Sequence, residues 1–299
     1  MTIFNATSAS RGDGSPEVVG FYDEASGSCQ YICIDPATRK CGLIDVVLDF
    51  DPANARTSTK AADWALGWIE REGLTLEWIL DTHPHADHLM AAAYLKQKTG
   101  APNAIGEKVR EIAALWQDFY NTPDAFEPEA DFDRLFADGD AFKLGELDVR
   151  VMLSAGHTLG SITYVVGDAI FAHDTFMQPD SGTARADFPG GSAADLYESL
   201  MAILAFPDDF RIFIGHDYGA EGRDNPAWES TVSEQKALNK HLAGGVVKAD
   251  YIEVREERDA TLSLPDRMLH ALQVNLRGGR LPEPEADGNS YFKIPANKF

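Results

Sequence analysis

Four side chains of metal-binding type stand within six residues, at His83, His85, Asp87 and His88. They directly follow the apolar run 76–80, which predicts a buried strand that ends at the cluster. Alternate side chains of an extended segment point the same way, so His83 and His85 share one side, while Asp87 and His88 at the turn can face a second position. Imidazole and carboxylate groups bind zinc, iron and related ions. The cluster therefore predicts a metal site, and its single loop can serve two adjacent metals.

Three more residues of ligand type stand at the ends of later predicted strands: His157, Asp174 and His216. Each of them alone would favour a structural role, but together with the first cluster they complete a set of seven. The set can divide into two groups with one bridging residue: His83, His85 and His157 around one metal, Asp87, His88 and His216 around another, and Asp174 between them.

The strands and helices that must position these residues can be predicted from the spacing of apolar residues and from the residue types typical of turns. Residues 29–34 and 42–50 predict a β-hairpin across the turn 35–40. The remaining segments predict strands over 76–80, 142–144, 149–153, 161–166, 169–172 and 211–214, and helices over 59–72, 88–99, 107–126, 193–205 and 227–241. The acidic helix over 107–126 carries no motif residue, so we interpret it as a cover or insertion without chemistry.

The alternation of strands and helices predicts the fold class. Because no Pro/Ser-rich linker interrupts the chain, we expect one layered α/β domain over 1–243. The remainder, 244–299, is expected to be a C-terminal extension packed on the same domain.

The order of the seven ligands resembles that of the metallo-β-lactamase superfamily. The shared pattern is H-x-H-x-D-H at 83–88, a later Gly-His at 156–157, a bridging Asp174 and a last His216. The resemblance covers roughly residues 28–220. It implies a four-layer αβ/βα sandwich with the metals at the edges of the sheets.

Within this superfamily, three segments are similar to persulfide dioxygenases rather than to glyoxalase II thioesterases. Residues 182–188 match the dioxygenase signature G-x-x-R-x-D-F, and residues 215–218 read Gly-His-Asp-Tyr where the thioesterases have H-E-Y. The tail segments 281–284 and 292–297 are similar to the dioxygenase C-terminus. One stretch, 275–280, is longer than its counterpart in the family.

The resemblance implies a glutathione persulfide dioxygenase that oxidises the persulfide sulfur to sulfite with O2 at one ferrous iron, Fe(II), per chain. It implies three iron ligands, His83, His157 and Asp174, with four supporting neighbours, His85, Asp87, His88 and His216. The alternative is a glyoxalase II-like hydrolase of glutathione thioesters with two Zn(II) or a mixture of Zn, Fe and Mn. A non-catalytic protein on a decayed site is disfavoured because no ligand is missing.

Two further side chains are candidates for the reaction itself. Arg185 is the cation that we expect to bind the anionic substrate, because guanidinium pairs bidentately with carboxylates; an ion pair with Asp187 is the alternative. Tyr218 is expected beside the metal, where it can donate to bound oxygen or sulfur, and a core tyrosine is the alternative. His173 should point to the face opposite Asp174 and be structural.

The charge of the chain narrows the classes of partner. Its 26 basic and 48 acidic residues give a net charge of -22, which repels phosphates, so we expect no nucleic acid and no membrane partner. An anionic substrate would need basic side chains placed locally. Residues 1–20 lack the pattern of an export signal, and an odd number of cysteines, Cys29, Cys33 and Cys41, argues against a disulfide framework. We therefore expect a cytoplasmic protein, and a homodimer stays open.

Overall fold

The computed structural model describes residues 3–298, so the ends of the chain at Met1, Thr2 and Phe299 lie outside the described residues. The strands are, in chain order, β1 Asn5–Ser8, β2 Glu17–Asp23, β3 Ser28–Ile34, β4 Lys40–Ile44, β5 Val47–Asp51, β6 Arg56–Ser58, β7 Thr75–Leu80, β8 Leu89–Met90, β9 Asn103–Gly106, β10 Arg134–Phe136, β11 Ala141–Leu144, β12 Leu147–Leu153, β13 Ile162–Val166, β14 Ala169–His173, β15 Arg211–Ile214 and β16 Glu229–Thr231. The helices are α1 Lys60–Arg71, α2 Ala92–Thr99, α3 Val109–Tyr120, α4 Pro128–Asp131, α5 Ala193–Leu204, α6 Val232–Leu238, α7 Lys248–Asp259 and α8 Met268–Asn275.

Two large mixed sheets face each other across the main core. The first sheet has the strand order β1-β2-β3-β4-β7-β9-β10, and the second has the order β11-β12-β13-β14-β15-β16. Apolar side chains of both sheets form one buried cluster, to which Tyr31 of the first sheet and Tyr164 of the second belong. Burial on both faces explains why strands such as β3 and β13 are buried along their whole length.

Helices cover the outer faces of the two sheets. Side chains of α1, α2 and α8 pack on the first sheet in a second cluster that includes Ala65, Leu95 and Val274. Leu200 of α5 and Tyr251 of α7 pack against the second sheet. The order helix, sheet, sheet, helix confirms the predicted α/β fold with four layers. No helix within residues 3–298 is both long and apolar enough to cross a membrane.

The predicted hairpin is confirmed in part. Strands β3 and β4 pair in antiparallel register from Tyr31–Ile44 to Ile34–Cys41. The single strand predicted over 42–50 is wrong, because Asp45 has a φ of 52° and turns the chain from β4 into β5, which belongs to a separate small sheet with β6 and β8.

The helix predictions over 59–72 and 193–205 are confirmed by α1 and α5. The helix predicted over 88–99 begins only at Ala92, because Leu89 and Met90 first pair with β5. The helix predicted over 227–241 is wrong in its first part, where β16 pairs with β15. Its later part contains α6, whose N-cap residue Thr231 forms a capping box with Glu234.

The segments with no motif pack over one end of the sandwich. Ile112 and Trp116 of α3 form a third apolar cluster with Met268 and Leu272 of α8, so the 107–126 segment is a cover, as predicted. The three cysteines are buried and form no disulfide bond.

The C-terminal tail runs back over α8. Phe292 packs against Phe50, and the backbone N–H of Lys293 donates to Gln273 Oε1 at 3.0 Å. The contact with Phe50 joins the tail to β5, and the division of the chain at residue 243 stays a prediction.

Candidate metal centre

The seven predicted ligands meet at one edge of the sandwich. Strands β7, β14 and β15 end just before His83, Asp174 and His216, so each of these residues leaves a sheet at the same edge. All of the histidines in the set are buried. The structure therefore brings together residues that lie up to 133 positions apart in the chain, from His83 to His216.

One carboxylate oxygen of the set, Asp174 Oδ2, neighbours two imidazole nitrogens, although His157 belongs to no group of described residues whose ligand atoms all lie within 4.8 Å of one another. Asp174 Oδ2 lies 3.8 Å from His83 Nε2 and 3.5 Å from His157 Nε2. Two ligand atoms that are each about 2.1 Å from a tetrahedral ion stand roughly 3.4 Å apart. His83 Nε2 is also buried and has no hydrogen-bond partner among residues 3–298. The spacing and the unpaired nitrogen fit a metal ion.

A chain of hydrogen bonds orients the ring of His83. The Thr82 hydroxyl donates to Asp45 Oδ2 at 2.8 Å, so its oxygen is left to accept from His83 Nδ1 at 3.0 Å. The proton of His83 is thereby held on Nδ1, and Nε2 presents its lone pair to the metal space.

His157 is oriented from the opposite side by the backbone. Its Nδ1 lies 2.8 Å from the carbonyl oxygen of Arg185. A carbonyl oxygen can only accept, so Nδ1 carries the proton and Nε2 is free to bind a metal.

His85 lies beside His83, but its Nδ1, and not its Nε2, is the nitrogen without a partner within residues 3–298. Its Nε2 donates to Asp45 Oδ1 at 3.1 Å, while Nδ1 is buried and unpaired among the described residues. Ligand atoms of His83, His85 and Asp174 lie within 4.8 Å of one another. Burial alone would raise the pKa of Asp45, but the charge of His85 and the hydrogen bonds bring it below its ordinary value. Asp45 therefore serves His83 and His85 as a buried carboxylate anion.

Asp87, His88 and His216 form the second group. Together with His85, their ligand atoms also lie within 4.8 Å of one another. His216 contacts Asp87 through Nε2 and donates from Nδ1 to Asp174 Oδ1 at 2.6 Å. Burial alone would lower the pKa of His216, but the two carboxylates raise it well above its ordinary value. His216 therefore links the two carboxylates of Asp87 and Asp174.

Ser28, at the start of β3, supports two histidines of this second group. Its Oγ lies 3.0 Å from His88 Nδ1 and 3.1 Å from His216 Nε2. His88 Nε2 is buried and unpaired among residues 3–298, so it points its free nitrogen into the site.

Arg185 lies next to the site, but its guanidinium is already engaged. Nε and Nη2 bind Asp187 at 2.6 and 2.7 Å, and Nη1 donates to the carbonyl oxygen of Ser263 at 2.7 Å. The ion pair that the sequence left open as the alternative is thus present. A substrate role for Arg185 stays a prediction.

Tyr218 lies beside the metal ligands, at the surface. Its ring stacks on that of His216, with 5.6 Å between centroids, and its hydroxyl lies 3.4 Å from Asp87 Oδ2. Because Tyr218 is 66% exposed, it is not a core tyrosine, and it is accessible to a substrate. Proton donation by Tyr218 stays a prediction.

The expectation that His173 points away from the site is wrong. A register shift between Phe171 and His173 and a φ of 41° at His173 turn its ring to 5.1 Å from that of His83. Its Nε2 lies 2.9 Å from Ser154 Oγ. It packs beside the ligands, and the regular alternation of a strand could not reveal this.

Sequence reasoning missed three residues that support the site: Asp45, Ser28 and Asn275. Asn275 belongs to α8 of the C-terminal extension and binds the backbone of His85 and His88. Asp45, one of two carboxylates in the otherwise apolar run 42–50, was the one visible signal.

Comparison with known proteins agrees with this geometry. The profile described as "Metallo-beta-lactamase superfamily" matches residues 39–216. A "Beta-lactamase hydrolase-like protein" of Xylella fastidiosa (strain Temecula1) is 56% identical over 95% of this chain, which spans 65% of that protein, a little less than two thirds of its length. "Glyoxylase B2" of Dictyostelium discoideum is 42% identical, over 93% of this chain and 96% of the relative.

Among solved structures, ETHE1 from Myxococcus xanthus superimposes with a TM-score of 0.69 and 28% identity, over 87% of this chain and 98% of that one. The matched residues 39–216 include all seven ligands. This protein belongs to the metallo-β-lactamase superfamily.

Proposed function

We propose that this protein is a glutathione persulfide dioxygenase that uses one ferrous iron bound by His83, His157 and Asp174. The observation that carries the proposal is that one carboxylate oxygen, Asp174 Oδ2, lies 3.8 Å from His83 Nε2 and 3.5 Å from His157 Nε2. Two histidines and one carboxylate on one face of ferrous iron leave open positions for substrate and O2. The likeness to ETHE1 from Myxococcus xanthus supports this branch of the superfamily.

The proposed reaction balances as GSSH + O2 + H2O → GSH + SO3²⁻ + 2 H⁺. Iron would supply the redox chemistry that joins O2 to the persulfide sulfur. The surrounding residues keep the ligand atoms in place. Because His216 takes Asp174 Oδ1, the carboxylate presents only Oδ2 to His83 and His157. We expect Tyr218, which is exposed next to Asp87, to give a proton to the sulfur or oxygen of the substrate.

The second group supports a single metal in this proposal. Both ring nitrogens of His216 are engaged, one by Asp174 and the other by Asp87 and Ser28. We infer that His216 supports Asp174 through its Nδ1, and that Asp87 and Ser28 hold the ring of His216 in turn.

A dinuclear thioesterase is the second candidate, and specific atoms favour it. His85 Nδ1 and His88 Nε2 are buried, and each lacks a partner among the described residues. Free nitrogens on both sides of the site are what two ions would need. The name of the Dictyostelium relative, a glyoxylase, is consistent with this alternative.

Oxygen uptake separates the two candidates. Protein loaded with ferrous iron under argon is mixed with glutathione persulfide in an oxygen electrode, and metal content and sulfite are measured on the same sample. We expect O2 consumption that matches sulfite formation at one iron per chain, and none in the zinc-loaded control. Absence of O2 uptake at full iron occupancy would overturn the proposal, and hydrolysis of an acyl-glutathione at two metals per chain would establish the alternative.

A further inference from the structure

A cleft of about 1050 Å³ opens beside the metal centre. Its walls are the β5–β6 hairpin, the loop 217–226 and Arg267 at the start of α8. His88 and Tyr218 also line it, so the cleft reaches the metal ligands. Sites for small ligands commonly have volumes of roughly 300–1000 Å³, so a ligand of tripeptide size fits here.

The basic residues of the cleft differ in whether they are neutralised. Arg223 binds Asp180 at 2.9 Å and Asp217 at 2.7 Å. The other three basic residues that line the cleft make no ion pair within residues 3–298: Arg56, Lys60 and Arg267. Three separate elements supply these cations, namely β6, the first turn of α1 and the start of α8.

Arg267 is the most constrained of the three. It is partly buried, and its Nε donates to the carbonyl oxygen of Phe50 at 3.4 Å. This bond ties Arg267 to the β5–β6 hairpin and leaves both terminal nitrogens of the guanidinium without a partner in the described chain. A guanidinium held in this way can bind a carboxylate with two parallel hydrogen bonds.

Several acidic residues of the same cleft already serve local structure. Asp49 Oδ2 accepts from the backbone N–H of Ala61 at 3.2 Å, and Asp51 accepts from Ala53 at 3.0 Å and from Asn54 at 2.8 Å. These carboxylates shape the hairpin and the start of α1. Asp51 stands opposite Arg56 in the β5–β6 pairing, but neither carboxylate forms an ion pair with a cation of the cleft within the described residues.

Two other acidic residues of the cleft carry no such bonds. Glu24 and Asp224 line it and make no side-chain hydrogen bond among residues 3–298. The cleft therefore offers free charges of both signs. A ligand with carboxylates and an ammonium group complements this lining, whereas a simple anion would complement only part of it.

We propose that Arg56, Lys60 and Arg267 bind the carboxylates of a zwitterionic peptide thiol whose sulfur points toward His88 and Tyr218. The inference rests on the proposed function in taking that peptide to be the glutathione part of the persulfide. These three residues are the local cations that a chain with a net charge of -22 needs in order to bind an anionic substrate. Arg185, held by Asp187, is then not the carboxylate anchor.

Binding of S-methylglutathione, which has no thiol to react, tests the cleft without any turnover. Calorimetry on zinc-loaded protein compares wild type with Arg267→Gln and with the double variant Arg56→Gln/Lys60→Gln. Each change removes charge-assisted hydrogen bonds, so we expect the affinity to fall by roughly tenfold or more. Arg150→Gln, an exposed change on β12 outside the cleft, is the matched control and should bind as wild type does.

The diester of S-methylglutathione, which lacks both carboxylates, adds a control on the ligand. We expect it to bind wild type and the cleft variants equally weakly. Thermal unfolding and metal content of each variant should match wild type, because Arg56 and Lys60 are exposed and Arg267 is only partly buried. Unchanged affinity in the cleft variants, or loss of binding in Arg185→Gln alone at full metal content, would overturn the inference.

These results separate the cleft from the reaction. If the wild type consumes no O2 but the cleft variants lose S-methylglutathione binding, the proposed subsite stands and only the proposed dioxygenase activity is overturned. If the protein is an active dioxygenase but its KM for glutathione persulfide is the same in the wild type and in the cleft variants, only the proposed subsite is overturned.

Discussion

The side-chain amide nitrogen of Asn275 lies 2.8 Å from the backbone oxygen of His85 and donates a hydrogen bond to it. The same nitrogen donates to the backbone oxygen of His88 at 2.9 Å, and Asn275 Oδ1 accepts from the N–H of Met90 at 2.8 Å. Asn275 is fully buried and ends α8. The C-terminal extension therefore holds the backbone of the metal-binding loop in shape.

Asn275→Ala should destabilise the fold and weaken metal binding together. The change leaves three buried backbone groups unpaired, and each such group costs roughly 1–3 kcal/mol. We expect a loss of about 3 kcal/mol or more in the free energy of unfolding, measured in urea. Competition with a chelator should show a metal affinity about 10–100-fold lower.

The control for this change is Asn289→Ala, in the exposed tail of the same extension. It should leave both the free energy of unfolding and the metal affinity unchanged. Wild-type metal affinity in Asn275→Ala would mean that the loop keeps its shape without α8.

His157→Ala should remove the metal, because Nε2 of His157 is one of the three proposed ligand atoms and lies 3.5 Å from Asp174 Oδ2. We expect metal content below about a tenth of the wild-type value after dialysis, and no activity. His270→Ala is the control, since His270 packs between Phe50 and Phe292. Elemental analysis measures the metal content of the two variants. Full metal content in His157→Ala would exclude the proposed ligand set.

Arg211→Met should be strongly destabilising. Arg211 is 0% exposed, its Nε and Nη2 bind Asp168 at 3.0 and 2.8 Å, and its other bonds reach Ser8 and Pro16 of the N-terminal segment. Removing one partner of a buried ion pair costs about 3–5 kcal/mol. Denaturant unfolding measures the loss.

Arg11→Met provides the matched comparison, because Arg11 approaches the same Asp168 at 3.6 Å from a position 44% exposed. An exposed pair contributes about 0–1 kcal/mol. Equal losses in the two variants would show that the burial of Arg211 is not what makes its ion pair matter.

His241 should make stability depend on pH. Burial, and then the charge of Arg255, lowers the pKa of His241 to about 4. Its ordinary pKa is about 6.5, so as the pH falls below that value the unfolded chain binds a proton that the folded protein refuses. The contribution to stability is therefore fully present above about pH 6.5 and is lost as the pH falls toward 4.

His241→Gln should flatten this slope, since Gln can still accept from the backbone N–H of Thr183, which His241 Nδ1 binds at 3.0 Å. The free energy of unfolding of both proteins is measured from neutral pH down to about pH 4.5. Parallel curves for the variant and the wild type would contradict the assignment.

The metal ligands could be predicted because their signals are local or strongly patterned. His83 to His88 follow an apolar strand directly, and His157, Asp174 and His216 each follow another predicted strand. Strand period and turn chemistry depend on neighbours in the chain, so they can be read without a structure. The same reasoning explains why α1 and α5 were predicted well, and why β4 and β5 were merged, since a single positive φ at Asp45 leaves no periodic signal.

The support of the site could not be predicted, because it depends on contacts between distant parts of the chain. Asn275 lies 190 residues from His85, and Ser28 lies 188 residues from His216. Packing also decides the neighbours of Arg185, whose guanidinium binds Asp187 and the carbonyl oxygen of Ser263. The residue types and their order were enough to name the candidate ligands and the family. Which nitrogen each histidine turns toward the metal, and which cations remain free for a substrate, follow from buried hydrogen bonds and ion pairs that form once the layers have packed.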